Sequence, residues 1–170
     1  MNTSRRAPLL TAGLAVAAAL ATTAVGVPQA AAATTPACTP ICVLDARVGA
    51  HAAYDRVVFD LSAGTMPKAR VTRSTSGSYS TPSGQDQLIE IAGKSYLILD
   101  LSIAHAHDNR GINTYTSPRV QAVNLPSVKG VQLLNDAQGH VLLGISLNDH
   151  SRYKTYKLAK PNRLVVDVYH

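Results

Sequence analysis

Three short runs in this 170-residue sequence carry side chains with the types and spacing that chemistry needs. The first, His105-Ala106-His107-Asp108, has the His-x-His-x-Asp order with which zinc hydrolases hold a metal, and alternation along an extended chain puts both imidazoles on one side. The histidine that usually follows the Asp is missing, and His51, His140, His150 and His170 stand at no ligand spacing. The expectation is therefore no metal and no cofactor, with His105, His107 and Asp108 the candidate ligands of a rival reading, a small secreted zinc hydrolase. The second run, Gly144-Ile145-Ser146-Leu147-Asn148, lacks the last glycine of a Gly-x-Ser-x-Gly elbow and has no helix after it. Paired carboxylates for glycoside chemistry are equally hard to assemble, since Glu90 is the only glutamate. No catalytic residue is assigned. The third run, Arg152-Tyr153-Lys154-Thr155-Tyr156-Lys157, interleaves cations with aromatic rings that stack on sugars or pair with carboxylates and phosphates. Arg152, Tyr153, Lys154, Tyr156 and Lys157 are the candidate binding residues, and Tyr54, Tyr79 and Tyr115 extend that surface if they converge. The same lysines would also guard an exposed edge strand against pairing with another chain.

The elements that position these runs read as strands. Val57, Phe59 and Leu61 alternate with Arg56 and Asp60; Leu97, Leu99, Leu101 and Ile103 alternate with Tyr96, Asp100 and Ser102. Val141, Leu143, Ile145 and Leu147 repeat the pattern, as do Leu164, Val166 and Val168 against Arg163 and Asp167. Further strands are expected over 43–48, 68–73, 87–91, 119–124, 128–134 and 152–158, and no window offers an amphipathic helix. Together these predict an all-β fold, a β-sandwich of about ten short, mostly antiparallel strands. Asn135-Asp136-Ala137-Gln138-Gly139 should turn a hairpin. The Ser/Thr/Gly-rich stretch 73–85, with Tyr79 its only large residue, is expected to be a mobile, exposed loop. As a contact surface it would suit an alternative function, a protein-interaction or inhibitor module acting on extracellular partners. Arg56-Val57-Val58-Phe59-Asp60-Leu61 and Arg163-Leu164-Val165-Val166-Asp167-Val168 share one frame of charged and apolar positions. If the two are antiparallel neighbours, Arg56 faces Asp167 and Arg163 faces Asp60 as cross-strand ion pairs; chance convergence of alternating strands is the other explanation.

The first residues read as an export signal. Arg5 and Arg6 precede an uncharged stretch over 9–27, then Pro28 and the small residues Ala30-Ala31-Ala32-Ala33, which place cleavage near Ala32. The paired arginines fit a twin-arginine signal except for Pro8, so both the general and the twin-arginine routes stay open. Cys38 lacks the preceding leucine of a lipoprotein box. The expected layout is a signal peptide over 1–32, a leader over 33–42 in which Cys38 and Cys42 form a disulfide, and one domain over 43–170. No second apolar span of membrane length follows, so the mature chain is expected to be secreted, not membrane-spanning, and monomeric by default. Loss of Arg5 and Arg6, with no acidic residue before Asp45, takes the formal charge of +6 down by two. That mild basicity favours anionic polymers and falls short of the dense clustering of a nucleic-acid binder.

Two longer segments carry a family resemblance. His51-Ala52-Ala53-Tyr54-Asp55-Arg56-Val57-Val58-Phe59-Asp60-Leu61 and Pro161-Asn162-Arg163-Leu164-Val165-Val166-Asp167-Val168-Tyr169-His170 resemble the AMIN-like domain of actinobacterial secreted proteins and lipoproteins. Gly93-Lys94-Ser95-Tyr96-Leu97, Gly111-Ile112-Asn113-Thr114-Tyr115 and Val141-Leu142-Leu143-Gly144-Ile145 fall in the matching order, so the resemblance spans roughly 43–170. The missing lipoprotein box departs from many members. The related AMIN domain is a β-sandwich that directs cell-wall amidases to the envelope. The resemblance therefore implies a non-catalytic module that binds peptidoglycan, an anionic wall polymer or an envelope protein, and it brings no catalytic residues with it.

Overall fold

A computed structural model describes residues 37–149 and 152–170. The proposed signal segment, His150 and Ser151 lie outside the described residues. Among the described residues no helix is long and apolar enough to cross a membrane.

The chain is all-β. Its strands are β1 (Val43–Ala50), β2 (Tyr54–Leu61), β3 (Lys68–Ser74), β4 (Ser78–Ser80), β5 (Asp86–Leu88), β6 (Ser95–Ser102), β7 (Val120–Ala122), β8 (Val128–Ala137), β9 (His140–Leu147), β10 (Tyr153–Leu158) and β11 (Arg163–Tyr169). One sheet has the order β1-β2-β11-β10, a second β3-β6-β9-β8-β7, and β4 and β5 form a separate ribbon; every pairing is antiparallel. The two larger sheets share a core. Val57, Phe59, Leu164, Val166 and Val168 come from the first, and Leu97, Leu99, Leu133, Leu143, Ile145 and Leu147 from the second, all almost fully buried. The period-two apolar positions are thus the inward faces of half-buried strands.

The expected hairpin is present. β8 and β9 are joined by Gln138 and Gly139, both with positive φ (54° and 74°), the two-residue turn whose twist matches that of its strands. Strand β8 also carries a register irregularity between Leu133 and Asn135, which leaves Asp136 opposite Val141, a core residue. Such a bulge re-aims the side chains beyond it.

The stretch 73–85 departs from its expectation as an open loop. It completes β3, supplies β4 and turns into β5, with which β4 pairs as a ribbon, and Tyr79 is only 6% exposed. Tyr79, Ile89, Tyr96, Leu134 and Leu142 make a second apolar cluster on the far side of the second sheet. That cluster explains why β9 is buried at seven consecutive positions, including Leu142, instead of at alternate ones. Hydroxyls keep the ribbon in shape: Ser80 Oγ donates to Asp86 Oδ1 (2.7 Å), and Gln85 N donates to Thr81 Oγ1 (3.1 Å). The sequence 73–85 is polar because the ribbon's outer face is wet, and one tyrosine suffices to anchor it.

Tyr115 lies in the main core at 2% exposure, and burial pushes its phenol up to about 12. The unfolded chain ionises that phenol near pH 10, so its contribution is complete below about pH 10 and is lost as pH rises towards the folded value. Urea midpoints measured at pH 8, 10 and 11 should fall across the upper interval, and Tyr115→Phe should flatten the fall. A wild-type midpoint no more alkali-sensitive than that of Tyr115→Phe would contradict this account.

Candidate functional site

The outward face of the first sheet gathers aromatic rings around one ion pair. Antiparallel register sets Asp167 on β11 opposite Arg56 on β2, Tyr169 opposite Tyr54, and Lys154 on β10 opposite Asp167. Arg56 Nε donates to Asp167 Oδ1 (2.7 Å) and Nη2 to Oδ2 (2.9 Å), a two-pronged pair that Tyr156 completes by donating its hydroxyl to Oδ2 (3.2 Å). The Arg56 hydrogen bonds hold the Asp167 carboxyl below its ordinary range, although burial opposes them. The same bonds raise Arg56 further, and burial pushes the Tyr156 phenol up. Both partners are therefore charged at neutral pH.

Rings radiate from this pair. The guanidinium of Arg56 lies 5.0 Å from the Tyr54 ring and 5.8 Å from that of Tyr156. His51 stacks on Tyr54 at 4.6 Å, Tyr169 tilts against Tyr54 at 5.7 Å, and Arg152 covers Tyr169 at 4.8 Å. Lys154 sits 5.9 Å from Tyr156. Among the described residues Arg152 and Lys154 join no ion pair, so their charge is available to an anion. A hollow of about 200 Å³ beside the cluster is lined by Arg47, Gly49, His51, Arg56 and Val58. It is smaller than the roughly 300–1,000 Å³ of small-molecule sites, so a ligand here lies along the face and is not enclosed.

The five candidate binding residues are divided by the alternation of β10, which is an edge strand. Arg152, Lys154 and Tyr156 join the outward face. Tyr153 instead packs against the core, and Lys157 donates to Pro67 O (2.6 Å) beside Leu164, on the inward side. Tyr54 belongs to the cluster, whereas Tyr79 and Tyr115 are buried elsewhere. His51 and Tyr169, which no local pattern singles out, complete it. The signal for Tyr169 was the repeated frame itself, since Tyr54-x-Arg56 and Asp167-x-Tyr169 face each other residue by residue once the two runs pair antiparallel.

Of the two expected ion pairs, Arg56–Asp167 forms and Arg163–Asp60 does not. Arg163 is opposite Asp60 in the ladder, but Arg47 takes both carboxylate oxygens, Oδ2 at 2.6 Å and Oδ1 at 2.8 Å, from a diagonal position on β1. Cys38 and Cys42 are joined as a disulfide. Ser146 is buried mid-strand and donates its hydroxyl to Ile91 O (2.7 Å), so the glycine-flanked serine supports a loop.

The histidine run is also rearranged. His105 and His107 lie side by side, ring centres 4.8 Å apart, but the carboxylate beside them is that of Asp136. Asp108 points away. Its Oδ1 accepts the Arg110 and Ile112 amides (2.9 Å each), its Oδ2 accepts Arg110, and the Ile112 amide leads in holding its carboxyl below the ordinary range. Every site on that carboxylate is taken, so Asp108 is no ligand. A separate pair, His140 Nδ1 and Asp100 Oδ1 (2.7 Å), borders a hollow of about 270 Å³ under the β4–β5 ribbon.

A family model described as AMIN-like domain matches residues 42–170. No curated protein and no solved structure matches the chain.

Proposed function

This chain belongs to the AMIN-like domain family, and from that premise we propose that it is an exported, non-catalytic binding module that recognises peptidoglycan or an anionic wall polymer through the outward face of its first sheet. The observation that carries the proposal is the cluster of Tyr54, Tyr156 and Tyr169 around Arg56, with Arg152 and Lys154 at its margin. Flat rings fixed on a sheet bind sugar faces at little entropic cost, and unpaired cations beside them meet the carboxylates or phosphates of the wall. Residues 1–32 act as the export signal in this reading, residues 33–42 form the disulfide-bearing leader, and 43–170 is the binding domain. The Cys38–Cys42 bond supports export, because thiols pair and persist outside the cytoplasm.

The test is retention of the protein on purified cell wall, with and without its anionic polymers, at low and high salt. Retention on bare peptidoglycan at high salt is expected if the rings dominate. Tyr54→Ala and Tyr169→Ala should each weaken it about fivefold, since an aromatic contact contributes ~1 kcal/mol. Arg152→Ala and Lys154→Ala should act only at low salt and only where the anionic polymers are present. Failure to bind either preparation at low salt would sink the proposal.

A further inference from the structure

We propose that His105, His107 and Asp136 bind one divalent transition-metal ion of the zinc class. One ligand atom from each of the three lies within 4.8 Å of the others. A tetrahedral zinc with bonds of ~2.0–2.1 Å spaces its ligands about 3.3 Å apart, so only small side-chain adjustments are needed.

Two further observations point to a missing partner. His105 Nδ1 and Asp136 Oδ1 are both buried and neither has a hydrogen-bond partner. Buried polar atoms are almost always satisfied, so two orphaned ligand-type atoms in one cluster call for a common explanation. Asp136 Oδ2 is already engaged by His107 Nδ1 (2.7 Å) and by the Ala106 amide (2.9 Å), which orients the carboxylate and leaves Oδ1 over.

The backbone holds the three residues in place without the ion. The chain leaves β6 at Ile103, a β-branched residue at φ 63°, where the Ile103 and Ala104 amides donate to Gly139 O (2.7 and 3.1 Å). His105 is then bridged on both sides to the segment 41–43, through Val43 N to His105 O (2.8 Å) and His105 N to Ile41 O (3.1 Å). His107 bridges to Asn113, and the bulge in β8 turns Asp136 towards them. Metal sites built on such fixed backbone need little reorganisation to bind.

The donor set selects the ion. Two neutral imidazoles and one carboxylate suit Zn²⁺ and its borderline neighbours, whereas calcium and magnesium require oxygen ligands. Three protein ligands leave a coordination position open. The adjoining hollow, about 480 Å³ and lined by His107, Asn113, Asn135, Asp136 and Arg119, has room for a water or an oxyanion there. Arg119 opposes a cation and favours an anionic fourth ligand.

The purified protein, stripped with a chelator and dialysed against micromolar Zn²⁺, should retain one ion per chain. Co²⁺ in place of Zn²⁺ should give the intense visible bands of a tetrahedral site. His105→Ala and His107→Ala should each weaken retention at least tenfold, while His140→Ala, which removes the other histidine–aspartate pair, should leave it unchanged. Because His107→Ala also loses a structural hydrogen bond, wild-type Co²⁺ spectra carry the test if that variant is unfolded. Retention of less than one ion by the wild type, octahedral Co²⁺ bands, or retention that survives both substitutions would overturn the site.

Discussion

Asp167→Ala should lower the free energy of unfolding by about 3 kcal/mol and abolish the proposed wall binding at the same time. Its side chain is 6% exposed and receives both nitrogens of the Arg56 fork and the Tyr156 hydroxyl. Removing one partner of a buried pair leaves the other charge uncompensated, which costs roughly 3–5 kcal/mol; the lower figure applies because Arg56 keeps 32% exposure and can turn to solvent. The rings that rest on Arg56 then lose their common support. Replacing the pair together, as Arg56→Leu with Asp167→Val, should restore most of the stability, since well-packed apolar residues often substitute for buried ions without loss. Binding should stay absent in the double variant, because the cation under Tyr54 and Tyr156 is gone. Urea titration and wall retention measured on the wild type and these two variants separate the two roles. A single variant within 1 kcal/mol of wild type would show that the pair does not hold the face.

The second large effect is expected at Asp55→Ala. Asp55 is fully buried on the inward side of β2, and its Oδ2 accepts the amides of Ser127 (2.6 Å) and Val128 (3.0 Å). Those amides begin β8, so one carboxylate ties the first sheet to the second. Alanine would leave two buried N–H groups unpaired, each costing about 1–3 kcal/mol, so a loss of ~2–6 kcal/mol is expected. Hydrogen exchange reads the mechanism directly: the Ser127 and Val128 amides should lose protection beyond the global change. Asp55→Asn keeps an acceptor oxygen and should fall between the two. Equal protection at Ser127 and Val128 in wild type and Asp55→Ala would show that other groups carry the link.

These residues also mark where sequence reading reaches and where it stops. Val57, Phe59 and Leu61, and the matching runs in β6, β9 and β11, were legible because a sheet with one buried face imposes period two on its side chains. The Arg56–Asp167 pair was legible because both strands repeat one frame and the antiparallel register aligns them. The β4–β5 ribbon was legible only in part: a strand was expected over 87–91 and β5 is Asp86–Leu88, but Ser78-Tyr79-Ser80 is too short to show periodicity, and the tertiary cluster around Tyr79 supplies its order. Arg47 capturing Asp60 depended on a diagonal neighbour in a strand far from Arg163. Asp136 took the place of Asp108 for the same kind of reason. Asp108 closes its own tight loop, while Asp136 comes from 29 residues beyond His107 through a bulge that no local pattern announces. Asp55 reads as one more polar position in a strand until β8 is seen beside it.

Strand β11, which follows β10 in sequence, lies between β2 and β10, and Arg56 meets Asp167 across a separation of 111 residues. The first sheet therefore cannot close in the order in which the chain is made or threaded. Only the β1–β2 hairpin can form early, and it carries the apolar edge Val57–Leu61 uncovered until residues 163–169 arrive. Such long closures slow folding and lengthen the interval in which an open strand can pair wrongly. Proteolytic cleavage just before Arg163 would accordingly act as a core lesion: it would cut a central strand away, orphan β10, and return the molecule to that vulnerable early state.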